Sequence, residues 1–63
     1  MTKEEKMMWE INIENSASEV SSIYGKDVAL SVFQKYDAHG FYDLSPSFYS
    51  EVFADLEQIV NDN

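Results

Sequence analysis

Apolar residues along this chain recur at helical spacing, not in alternation, and they fall into three blocks. Stepped at about 100° per residue from Trp9, the positions Trp9, Ile13, Ser16, Ala17, Val20, Ile23 and Tyr24 lie within an arc of about 120°. That stripe predicts a first helix over about residues 3–24. Thr2 and Glu5 match the S/T-x-x-E capping box at its start, and Gly25 stands where a terminating glycine belongs. Ser16-Ala17-Ser18-Glu19 is a second capping-box match that offers a break near Asn15. The apolar phase runs undisturbed across it, so one helix is expected. In the second block, Val28, Ala29, Val32, Phe33 and Tyr36 share one face and predict a helix over about 27–38, with Asp27 in its first turn and Gly40 as terminator. In the third, Ser45 reads as an N-cap and Pro46 as the first helical residue, and Leu44 is placed to staple onto Tyr49. Phe48, Tyr49, Val52, Phe53, Leu56, Ile59 and Val60 cover about 140°, which predicts a helix over about 46–61.

Three amphipathic helices with short connections specify an all-α fold, a compact three-helix bundle forming a single domain over residues 1–63. The predicted core is Trp9, Ile13, Val20, Tyr24, Val32, Phe33, Tyr36, Phe48, Val52, Phe53, Leu56 and Ile59. A domain of this size buries only about 60% of the surface its unfolded chain exposes, and no cysteine is present to staple it. Self-association is the expected further source of stability.

The pattern has one break. Met7, Met8 and Ile11 lie roughly 160–260° from Trp9, on the far side of the first helix. A helix that is apolar on both sides needs cover on both sides. Met7, Met8 and Ile11 are therefore candidate protein-contact residues, with Leu30, Phe41 and Tyr42 as further candidates, and a homodimer is the simplest assembly. For Phe41, closing the end of the bundle is an equal alternative.

Charge narrows the function. Twelve acids against four lysines and one histidine give a net charge of −8 in 63 residues. Such a chain lacks the cationic face that binding nucleic acid or an anionic membrane requires. The longest apolar runs, Met7–Trp9 and Val28–Leu30, are three residues each, against about 20 for a membrane span. With no basic segment leading into an apolar one, no secretory signal is expected, and the cytoplasm is the expected compartment. The acids suggest a second reading, an inhibitor that imitates nucleic acid before a basic partner, with Glu10, Glu14, Asp55 and Glu57 as its face. Otherwise these carboxylates are expected to lie on solvated surfaces and keep a small domain soluble.

Catalytic chemistry finds no support. His39 sits where the second helix should end, and is expected to hydrogen-bond that helix's last carbonyls. Asp37 and Asp43 are its nearest candidate co-ligands, too few for a metal centre. A calcium loop counted from Asp37 would need oxygen ligands at its third, fifth and twelfth positions, where His39, Phe41 and Phe48 stand. Two isolated glycines make no phosphate loop. No catalytic residue, metal or cofactor is expected.

The segment from Ser31 to Asp62, with YDAHG followed by DLSPSFYSEVFADLE, resembles a group of short uncharacterised all-α proteins carried on conjugative transposons and related mobile elements of anaerobic Gram-positive bacteria. KMMWE near the start and IYG before Lys26 extend the resemblance over most of the chain. It implies an all-α fold and a mobile-element setting, in which small acidic proteins often blunt host defences. No activity or catalytic residue is carried by it.

Overall fold

The computed structural model describes residues 1–62; Asn63, which the single-domain expectation includes, lies outside the described residues. The fold is an all-α bundle of three helices, α1 (Lys3–Tyr24), α2 (Lys26–Gln34) and α3 (Tyr49–Asn61). A 22-residue helix is about 33 Å long. The molecule measures 34 × 20 × 15 Å, so α1 is its spine.

The capping box forms as the sequence predicts. Glu5 N–H donates to Thr2 Oγ1 and Thr2 N–H donates to Glu5 Oε1, each at 3.1 Å. The Thr2 main-chain donor first, and then the Thr2 hydroxyl, hold the Glu5 carboxyl below its ordinary range. Helix α1 runs unbroken through the serine tract. It turns into α2 through Gly25 alone, whose φ of 102° and ψ of 150° belong to a region that side chains strongly disfavour.

Helix α2 ends earlier than predicted, and Gly40 does not end it. Asp37 adopts φ 61°, the left-handed conformation. Ala38 N–H then donates to Phe33 O at 3.0 Å and Asp37 N–H to Gln34 O at 3.1 Å, the paired bonds of a Schellman motif. The apolar contact that goes with that motif falls between Ala38 and Phe33, both buried in the core. Gly40 itself is extended. The third helix begins as a 3-10 turn over Pro46–Phe48 before α3 proper. Ser45 makes no side-chain cap; its hydroxyl lies 3.0 Å from that of Ser47.

Cross-helix contacts set the directions. Trp9 meets Tyr49 and Phe53 at ring-centroid distances of 6.3 and 6.1 Å, and Ser16 bonds Glu57 further along both helices, so α1 and α3 run parallel. Helix α2 runs back alongside them: Val32 lies beside Ile59, whereas Tyr36 packs on Phe48 at 5.0 Å. Ile13, Val20, Val52 and Leu56 are fully buried at the centre, with Tyr49, Val32 and Phe33 around them.

Two predicted core residues, Tyr24 and Phe48, lie at the surface instead. Tyr24 is 42% exposed, and Ile23 from the same stripe 57%. Ser16 stands level with Glu57, so Asn61, where α3 ends, stands near Val20; the last turn of α1 outruns its partner. Phe48 is 38% exposed because it sits in the 3-10 turn and covers Tyr36 from outside. Phe41, Leu44 and Tyr49 take their places in the core.

Candidate interaction surface

Helix α1 presents its inner face to both other helices, so its opposite face stands bare. Met7, Met8 and Ile11 project there and are 52%, 61% and 53% exposed. They are spaced i to i+3 and i to i+4, which makes them one contiguous patch. Further along the same outer strip stand Asn15, Ser18 and Ser22, all exposed and all polar. The apolar character is thus confined to the first half of the helix. Glu4 precedes the patch by one turn, Glu14 follows it by one turn, and Glu10 flanks it; all are exposed.

The other contact candidates lie elsewhere. Leu30 is half-buried beside a shallow depression on α2 that it lines with Lys26, Ala29, Phe33 and His39. Tyr42 is 83% exposed. It forms the rim of a cleft of about 220 Å³ shared with Lys6, Glu10, Phe41, Leu44, Pro46 and Tyr49. Phe41 is not a surface residue. The 3-10 turn Phe41–Asp43 folds its ring inward, where it stacks on Tyr49 at 4.8 Å and is 8% exposed. Of its two sequence readings, closing the bundle end is the one the geometry supports.

The four acids of the second reading do not form one open face. Glu10 and Glu14 are exposed on α1. Asp55 instead accepts hydrogen bonds from Lys35 Nζ at 2.9 Å and Tyr36 Oη at 2.7 Å. The Lys35 ammonium first, and then the Tyr36 hydroxyl, hold its carboxyl below the ordinary range. Glu57 is half-buried and accepts from Ser16 Oγ at 2.6 Å. Both carboxylates were expected on solvated surfaces; both are engaged between helices. The reason lies on the facing elements. Ser16 is a polar residue inside the α1 stripe and needs a partner when buried, and Tyr36 extends a hydroxyl past its apolar ring.

His39 also differs from expectation. It bonds none of the last carbonyls of α2. Its Nδ1 lies 2.9 Å from Asp43 Oδ2, while its own N–H and that of Gly40 donate to Asp43 Oδ1 at 2.8 and 3.2 Å. The imidazole first, then these main-chain donors, keep the Asp43 carboxyl below its ordinary range. Asp43 therefore acts as the clasp of the 38–43 loop, which seats Phe41. The spacing of four residues from His39 to Asp43 was visible in the sequence, but only the turn brings the two together. Among the described residues no group of three or more histidines and carboxylates could hold a metal ion, and no helix is long and apolar enough to cross a membrane.

No family model matches this chain, and no curated protein or solved structure matches it either.

Proposed function

We propose that this protein is a small acidic interaction module without a catalytic role, which engages protein through the outer face of α1 and associates with itself through that face. One observation carries the reading: Met7, Met8 and Ile11 form a patch more than half exposed on a helix whose opposite face supplies the core. Isolated exposed apolar residues are ordinary on any surface. Three adjacent ones, two of them adaptable methionines, on a strip whose second half is serine and asparagine, mark a contact surface. Nothing in the fold requires them there, because the core is filled from the other side.

The test is light scattering on a size-exclusion column over a concentration series. The expected result is a mass that rises above 7.3 kDa with concentration. The double variant Met7→Glu, Ile11→Glu should return to a monomer of unchanged helical content. A wild type that stays monomeric throughout contradicts self-association. A double variant that assembles like the wild type shows that this face is not the contact.

A further inference from the structure

The proposed contact face has a charge pattern as well as an apolar centre, and the pattern selects among occupants. Glu4 and Glu14 stand at the two ends of the patch of Met7, Met8 and Ile11, Glu10 stands on one flank, and all six side chains are exposed. From Glu4 to Glu14 the surface runs about 15 Å along the helix, or nearly three turns. Two cations, Lys3 and Lys6, stand near these three acids and offset their charge only in part. Lys6 lines the cleft with Phe41 and Tyr42, beside Glu10 on the flank of the face. Lys3 stands at the edge of the face in the first turn, beyond Glu4.

A second copy meets this face through its apolar centre but against the repulsion of its rim, so self-association there is weak. Pairing two α1 faces sets Glu4, Glu10 and Glu14 against the same residues of the other copy, on chains that each carry −8. A stable interface buries about 800 Å² per partner, drawn from about 20–30 residues. Three apolar side chains supply only its centre, so the rim decides the partner, and this rim is acidic. We therefore propose that the occupant suited to this face is a basic amphipathic helix of another protein. It would lie along α1 with its apolar side on Met7, Met8 and Ile11 and its lysines or arginines beside Glu4, Glu10 and Glu14. The inference rests on the interaction-module reading above and names the partner chemistry of that same surface. It also fixes opposite responses to salt. Screening relieves the repulsion between two copies and strengthens their pairing, but weakens the hold on a basic helix.

The probe is a synthetic amphipathic helix of about 14 residues, leucine on one side and lysine on the other, with a fluorophore at one end. Its anisotropy is followed as the full chain is added, at low and physiological salt. Binding should weaken with salt. It should also weaken by about tenfold or more in Met7→Glu, Ile11→Glu, even though that variant is more acidic. The charge-neutral pair Met8→Ser, Ile11→Ser should show the same loss, which keeps the test intact if the first variant folds poorly. Equal or tighter binding by these variants would show attraction by bulk charge alone and overturn the proposal. No binding by a wild type that does assemble with itself would overturn it too, leaving the second copy as occupant and the module reading standing. Neither binding nor self-association would sink both.

Discussion

Asp37 is the residue whose backbone is least suited to its side chain. It holds φ 61° at the end of α2, a conformation that costs an L-residue about 1–2 kcal/mol and that glycine adopts freely. It also sets a negative charge at the negative end of a helix dipole. Asp37→Gly should therefore stabilise the fold by about 0.5–1 kcal/mol, read as a higher urea midpoint at unchanged slope. A loss of stability would mean that the Asp37 side chain does something the backbone geometry does not reveal. Asp55 gives a prediction of opposite kind. Its bonds to Lys35 and Tyr36 lower its folded pKa, so they stabilise the fold above the unfolded carboxylate range. That contribution is lost as pH falls below about 4 and through the lowered folded value. Asp55→Asn should thus be less stable than wild type at neutral pH, and the gap should close in acid. The gap is modest, because Lys35 is largely exposed and solvent screens its pairing with Asp55. A gap independent of pH would show that the carboxylate's charge is irrelevant there.

At the scale of the element, the turn between α1 and α2 depends on one residue. A Cβ at Gly25 would meet no atom within 4 Å, so Gly25→Ala tests backbone strain alone. The expected cost is about 1–3 kcal/mol in thermal or urea unfolding, with helix content kept in the folded fraction. A neutral result would show that the linker relaxes to another conformation without disturbing the helices. The elements were legible in the sequence where local signals agreed: the Thr2–Glu5 box, the long apolar stripe of α1, and Pro46 ahead of α3. They were not legible where a tertiary event decided. Nothing local marks Asp37, rather than Gly40, as the residue that takes the left-handed turn, since Ala38 must first find Phe33 in the core. Angular position placed Tyr24 toward the core, but whether another helix stands opposite depends on how far α3 reaches. The same blindness hid the engagement of Asp55 and Glu57, whose partners sit 19 and 41 residues away. The apolar outer patch was legible because it is a purely local property of one helix.

For the whole molecule, the arrangement of α1 explains why an uncovered face exists at all. A spine as long as the domain, with α2 and α3 packed on one side of it, leaves an outer strip that its own chain cannot cover. The solvent face of a helix is ordinarily polar, as the second half of this strip is at Asn15, Ser18 and Ser22. The first half does not follow. Its apolar centre and acidic border together define the surface on which the proposed function rests. The most direct test follows the methyl resonances of Met7, Met8 and Ile11 by NMR through a dilution series of the full chain. The expected result is shifts confined to these three methyls, growing with concentration while the buried Val20 and Leu56 methyls stay fixed. Static outer methyls at every concentration, or shifts centred on Tyr42 or α3 instead, would contradict it.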